Sequence, residues 1–326
     1  MNFKSKKKNL VGGKKYLCGD KSFKSKKNDN KYLGKDNHLN LLGEGGYASA
    51  CNLKDNKVVR VVNQNKYCNK TCLKNEFYNV KLLEKINKKS NYAPIVYSNH
   101  IDCNLKACIL PTTTYSIQEK YTSDLSTYLN KNPIGLIDFD IAKQIINIVQ
   151  TIHNNGIYHR DIKTENFLVK ILKNIIKVAI TDFGLSIYKQ DGKLKKMSLR
   201  FVPWVQPPSL KFCYKKINNL PEKDKIQLLI YLDWWATIMM LLNITNTDTN
   251  RNISISIDSV KSSIEENPRY ISRKVKKLKK NNVLKPTKYI LEFYDELNDS
   301  LYEFEKNNKL VLININNHLN RILNSL

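Results

Sequence analysis

The stretch from Ile157 to Leu185 constrains this chain more than any other. It runs Ile-Tyr-His159-Arg160-Asp161-Ile-Lys163-Thr-Glu-Asn166-Phe-Leu-Val. A β-like apolar run follows and closes on Ile180-Thr-Asp182-Phe183-Gly184-Leu185. Oxygen donors of three side chains, Asp161, Asn166 and Asp182, and one cation, Lys163, fall within that short span. A carboxylate can orient or deprotonate a hydroxyl, amide and carboxylate oxygens are hard ligands suited to Mg²⁺, and an ammonium group neutralises phosphate charge. Phosphoryl transfer asks for little more, because its catalysis is mostly positioning and charge neutralisation.

The string His159-Arg160-Asp161-x-Lys163-x-x-Asn166, followed by Asp182-Phe183-Gly184, resembles the catalytic and metal-binding loops of eukaryotic-type serine/threonine protein kinases. A third block stands in the right order. The run Ile226 to Leu242 is apolar nearly all round, which marks a buried helix, and a carboxylate inside it, Asp233, needs partners. Asp233-x-Trp235 resembles the family's Asp-x-Trp signature, whose aspartate accepts backbone N–H bonds from the catalytic loop. The resemblance covers roughly Leu41 to Leu242 and implies an α+β, bilobal protein-kinase-like fold. Residues 1–38 are then a basic, flexible N-terminal extension. Residues 39–118 make a small β-rich N-lobe with one helix, and 119–326 a large, mainly α-helical C-lobe, with ATP between the lobes.

Upstream, Leu41-Leu42-Gly43-Glu44-Gly45-Gly46-Tyr47-Ala48-Ser49-Ala50 resembles the family's glycine-rich loop. Gly43 and Gly45 let backbone approach phosphates without a Cβ penalty, and Ala48 stands where a third glycine is usual. Val58-Val59-Arg60-Val61-Val62 is a β-branched strand whose period of two puts Val58 and Arg60 on one face. By the resemblance, Ala50 and Val58 contact adenine, while Arg60 replaces the lysine that holds the α- and β-phosphates. Only seven of the 55 basic residues are arginine, so this change runs against the chain's composition. A planar guanidinium fork is not interchangeable with a compact ammonium group. Lys54, Lys57 and Lys66 are the alternative sources of that cation, with Lys57 on the opposite strand face. Leu73 to Ile86 reads as a helix carrying Glu76, the implied ion-pair partner of Arg60, with Glu84 as competitor.

Short strands are expected near Ile95–Tyr97, Ala107–Leu110 and Tyr115–Ile117. Gln118-Glu119-Lys120-Tyr121 then resembles the hinge, where backbone groups of Glu119 and Tyr121 would bond adenine. Asp124 reads equally as a ribose acceptor or as the N-cap of a helix starting at Leu125. Asp138 to Asn155 is a helix, with Ile141, Ile145, Ile148, Val149 and Ile152 at helical spacing and Gly156 as its stop. His153 and His159 read as structural. Ser186 to Ser209 resembles an activation segment, with Ser198 the first candidate for phosphorylation, Ser186 the second, and Arg160 placed to receive the phosphate. Trp204-Val-Gln-Pro207-Pro208-Ser209 resembles an Ala-Pro-Glu element lacking its glutamate. Leu291 to Leu326 reads as one or two amphipathic helices.

The implied mechanism uses ATP with Mg²⁺, or Mn²⁺ in its place, held by Asn166 and Asp182. Asp161 orients a serine or threonine hydroxyl of a protein substrate, and Lys163 neutralises the γ-phosphoryl group. Arg60 and the Gly43-Glu44-Gly45-Gly46-x-Ala48 turn clamp the triphosphate. The alternative is a pseudokinase, a nucleotide-binding or scaffolding module that Arg60 has disabled; retention of Asp161, Lys163, Asn166 and Asp182 favours the enzyme. With 55 basic against 29 acidic residues and a net charge of +26, the surface attracts polyanions. The lysine-rich N-terminus is the candidate contact for an acidic protein or a nucleic acid. Seven cysteines, an odd number without a Cys-x-x-Cys pair, point to free thiols in a reducing intracellular compartment, cytoplasm or nucleus. The apolar run near Trp234 to Ile244 reads as too short to cross a bilayer.

Overall fold

The computed structural model describes residues 15–18, 21–24, 38–44, 48–53, 55–62, 69–100, 115–132, 137–173, 175–190, 193–196, 220–245, 284–307 and 309–326. They fall into two compact units, one holding residues 1–88 and 94–120 and the other 89–93 and 121–326. A strand-rich unit followed by a mainly helical one is the expected α+β class.

Within the stretch read as a flexible extension, β1 (Lys15–Cys18) and β2 (Lys21–Lys24) form an antiparallel pair, and β1 runs parallel to β3 (His38–Leu39). The main sheet of the first unit contains β4 (Leu41–Glu44), β5 (Ala48–Asn52), β6 (Lys57–Val62), β7 (Val96–Asn99) and β8 (Tyr115–Glu119), in the order β4-β5-β6-β8-β7. Helix α1 (Asn69–Asn87) belongs to the same unit. The alternation predicted for β6 holds: Val59 and Val61 are buried with Leu39, Cys51, Leu53, Tyr115 and Ile117, while Val58 and Arg60 on the other face stay partly open. Cys51 is disulfide-bonded, which corrects the expectation that the thiols are all free. The expected strand Ala107–Leu110 lies outside the described residues.

The second unit starts with β9 (Ser123–Asp124) and α2 (Leu125–Lys131). Asp124 caps α2: Oδ1 accepts from the Thr127 N–H at 2.7 Å and Oδ2 from the Thr127 hydroxyl at 2.8 Å. Each carboxylate oxygen therefore accepts one bond at the helix start, which bears out the cap reading, and each keeps a second lone pair for the ribose reading. Asp124→Ala is expected to lower stability by about 1 kcal/mol, measured as a shift of the denaturant midpoint with an unchanged slope.

Helix α3 (Ile137–Asn154) follows, and Gly156, at φ +67°, ends it in the left-handed conformation that glycine adopts freely. The antiparallel hairpin of β11 (Phe167–Leu172) and β12 (Ile175–Ile180) comes next, and β10 (Ile157–Tyr158) pairs with β13 (Ile187–Gln190), which pairs in turn with β14 (Lys193–Lys196). Helix α4 (Glu222–Thr245) is the spine of this unit, with every described residue from Tyr231 to Thr245 buried. It packs on α3 and on α5 (Lys285–Asn307), and α6 (Ile315–Leu323) closes the chain against α5. Glu222 and Asp224 open α4 with charges that suit a helix N-terminus, so the helix extends well beyond its apolar run. Over Glu222–Leu242 it is long and apolar enough to cross a bilayer by length and composition, which corrects the expectation from the shorter run. That segment is nevertheless mostly buried inside the protein, as the core helix of a globular unit would be.

Candidate active site

In the first unit, antiparallel pairing sets Ala50 directly opposite Arg60, and Val58 opposite both Asn52 and Gln118. Arg60 therefore leaves the sheet on the face away from the buried aliphatic cluster, where its guanidinium meets α1. Nε lies 2.8 Å from Glu76 Oε1 and Nη2 3.1 Å from Oε2. This is a two-pronged, charge-assisted pair, the geometry for which arginine is built and lysine is not. Glu76 is only 2% exposed, and Asn79 Nδ2 adds a longer bond of 3.4 Å to Oε1. Glu84, the competitor, instead pairs with Lys81 on the exposed face of α1. Lys57 is likewise diverted, its ammonium group bonding the Asp55 carbonyl and lying over the Tyr97 ring.

Gly43 and Glu44 end β4, and Ala48 begins β5 as a buried residue. A Cβ added to Gly43 would meet nothing within 4 Å. Gly45, Gly46 and Tyr47 lie outside the described residues, as do Lys54 and Lys66. Glu119 ends β8, and its N–H is already bonded to the Ile95 carbonyl at 2.8 Å. Any adenine contact through Glu119 must therefore use its carbonyl. Tyr121 begins the second unit, buried beneath the ammonium groups of Lys170 and Lys177.

The second unit assembles its polar residues around Asp233. This carboxylate is 1% exposed and accepts three bonds: from the His159 N–H at 2.7 Å, the Arg160 N–H at 2.8 Å and His153 Nε2 at 3.0 Å. Arg160 has φ +68°, a left-handed conformation that a non-glycine residue keeps only when its surroundings impose it. Two adjacent N–H groups converging on one carboxylate are that imposition. His159 is held by the Asp161 N–H, which donates to Nδ1 at 3.3 Å, and by the Thr181 carbonyl 3.0 Å from Nε2. This pattern assigns the neutral tautomer with the proton on Nε2 and makes the ring a strut between the two loops.

Asp161 sits on the segment so fixed. Its Oδ2 is 2.9 Å from Lys163 Nζ and 2.9 Å from Asn166 Nδ2, which also donates to the Asp161 carbonyl at 2.7 Å. Oδ1 is buried with no hydrogen-bond partner among the described residues. Burial pushes the carboxyl above its usual pKa, against the opposing pull of the Lys163 ammonium group and the Asn166 hydrogen bond. The β11–β12 hairpin brings the remaining donor alongside. The Thr181 N–H donates to the Asn166 carbonyl at 2.9 Å, so Asp182 follows immediately after a direct link to Asn166. Asp182 takes φ +61° and Oδ1 accepts a long 3.4 Å bond from the Gly184 N–H.

These donors fit a hard divalent cation. The Asn166 nitrogen is spent on Asp161, leaving its oxygen as a ligand, and the Asp182 carboxylate is nearly uncommitted among the described residues. Asp161, Lys163 and Asn166 are thus bonded to one another, and Asp182 follows β12 at the same end of the hairpin. Ser186 departs from its expected role. It is fully buried, and its hydroxyl donates to the His159 carbonyl at 3.3 Å, so it is not presented for phosphorylation. Ser198 and residues 204–209 lie outside the described residues.

Gln144 acquires a role only in three dimensions. It pins the outer edge of β12 by donating to the Ile176 carbonyl and accepting from the Val178 N–H. Its one signal in the sequence is a polar residue between Ile141 and Ile148 on the buried side of α3.

Comparison with known proteins adds three kinds of likeness. A family model described as "protein kinase domain" matches residues 37–309. Calcium-dependent protein kinase 33 of Arabidopsis thaliana is 37% identical over 76 residues, 23% of this chain and 15% of that protein. Calcium-dependent protein kinase 2 of Zea mays is 34% identical over 76 residues, again 23% and 15%. The probable serine/threonine-protein kinase fhkB of Dictyostelium discoideum is 32% identical over 114 residues, 35% of this chain and 10% of that protein. The aligned part thus spans at most 15% of the length of these relatives.

Proposed function

This chain belongs to the protein kinase domain family, and from that membership we propose that it is a working serine/threonine kinase, transferring the γ-phosphoryl group of ATP to a protein hydroxyl. The observation that carries the proposal is the division of labour on Asp161. One carboxylate oxygen is occupied by Lys163 and Asn166, while the other is buried and unpartnered among the described residues. A buried acceptor without a donor is costly unless a ligand supplies one, and an incoming hydroxyl does so. In the proposed step the substrate oxygen bonds to the γ-phosphorus, the bond to the β,γ-bridging oxygen breaks, ADP departs, and the hydroxyl proton passes to Asp161. Lys163 then lies beside the transferring group as a counter-charge. Asn166 and Asp182 would hold Mg²⁺, or Mn²⁺ in its place, which when bound neutralises phosphate charge and orients the triphosphate. Lysine at position 163 resembles the serine/threonine pattern and supports that substrate class.

Arg60 favours the second reading, a kinase-like scaffold without turnover. Its two-pronged bond to Glu76 supports the enzyme instead, since the first unit has kept the ion pair by reshaping it around arginine. The variants Asp161→Asn and Arg60→Lys separate the two in a radiolabelled ATP transfer assay with a generic basic protein. Arg60→Lys gives up one of two charge-assisted bonds and leaves Glu76 underpaired. It is expected to lower kcat/KM about tenfold or more. An Arg60→Lys protein faster than the parent would show arginine to be a handicap, and a parent no faster than Asp161→Asn would favour the scaffold.

A further inference from the structure

The β11–β12 hairpin carries a feature that the phosphoryl-transfer site does not use. Its far end, away from Asn166 and Asp182, displays Ile171, Leu172 and Ile175 at 46%, 47% and 69% exposure. Cross-strand register places Leu172 opposite Ile175 and Lys170 opposite Lys177. Period two then puts all four on one face, an apolar pair at the tip backed by a cation pair, with exposed Lys173 at the turn.

Like charges directly opposite one another repel. Here both ammonium groups are gathered over a single ring, 5.9 Å and 5.8 Å from the Tyr121 centroid, so the cations are kept together. An apolar tip collared by lysines complements a surface that is anionic outside and hydrocarbon beneath. A peptide would need a free strand edge or a groove. The outer edge of β12 is already taken by Gln144 at Ile176 and Val178 and by the Tyr92 carbonyl at Ile180, and a hairpin end offers no groove. The net charge of +26 adds long-range attraction of the same sign.

We infer that this hairpin tip docks on an anionic lipid bilayer, with Leu172 and Ile175 entering the interface and Lys170, Lys173 and Lys177 meeting the headgroups. The docking is peripheral and independent of catalysis.

Sedimentation of the full chain with phosphatidylcholine vesicles, with and without phosphatidylserine, tests it. Retention is expected only with phosphatidylserine. The exposed double variant Leu172→Ser/Ile175→Ser is expected to lower partitioning about tenfold, and each of Lys170→Ala and Lys177→Ala about fivefold, with thermal melts matching the parent. An Ile175→Trp protein should show, relative to the parent, blue-shifted emission and quenching by brominated lipid. Equal binding by the serine double variant, or emission from the Ile175→Trp protein that does not move on bound vesicles, would reduce the effect to general charge adsorption and overturn the inference. So would equal retention by neutral vesicles, or no vesicle retention while a glutamate-rich peptide binds the parent and not the serine variant.

Discussion

An Asp161→Asn protein is expected to fold as the parent does and to lose phosphoryl transfer by about 10²–10⁴-fold. Asparagine keeps the shape of the side chain and leaves an oxygen for Lys163 or Asn166. It cannot take a proton, and it removes the negative charge that draws Lys163 to 2.9 Å. Stability should change little, because burial already disfavours the carboxylate at this position. That combination sets the prediction apart from structural damage: label transfer falls steeply while the thermal midpoint holds. Activity and stability falling together would mean that Asp161 is mainly a structural residue.

Asp233→Ala should behave in the opposite way and damage both. Two adjacent backbone N–H groups, at His159 and Arg160, would lose their acceptor in a buried setting, and His153 would lose its partner. The cost is expected to be on the order of 3 kcal/mol or more. The left-handed conformation of Arg160 would lose its support, so Asp161 would no longer be held in place. Asp233→Asn is the graded control. Its amide oxygen can accept one of the two N–H bonds while its NH₂ faces the other, so an intermediate loss of stability is expected in chemical denaturation. An Asp233→Ala protein as stable as the parent would contradict the role assigned to this carboxylate.

Asp233 is legible in sequence because a carboxylate inside an apolar helix demands donors, and few segments can supply them. His153 reads as structural, yet its partner stays hidden. Helical period places it on the last turn of α3 but says nothing of a residue eighty positions later. Arg60 and Glu76 are legible as a pair from strand period and helix face, whereas the two-pronged geometry needs coordinates. Residue type alone does not decide Asp124, since a cap and a ribose acceptor ask for the same carboxylate; its cap role becomes visible only with the Thr127 bonds to both oxygens. Ser186 misleads because the turn at Phe183–Leu185 folds it inward, an effect of local backbone geometry rather than composition. The first turns of α4 are polar and charged, so counting apolar residues makes that helix too short.

If Asp161, Asn166 and Asp182 form one metal-assisted phosphoryl-transfer site, all of them must be needed for the same label transfer. The direct test is transfer of radiolabelled γ-phosphate to a protein substrate, followed by acid hydrolysis to identify the labelled amino acid, for the parent, Asp161→Asn and Asp182→Asn. Phosphoserine or phosphothreonine is expected from the parent with Mg²⁺ or Mn²⁺, and near-background label from both variants. Label that persists at the parent's rate in either variant would contradict a shared site.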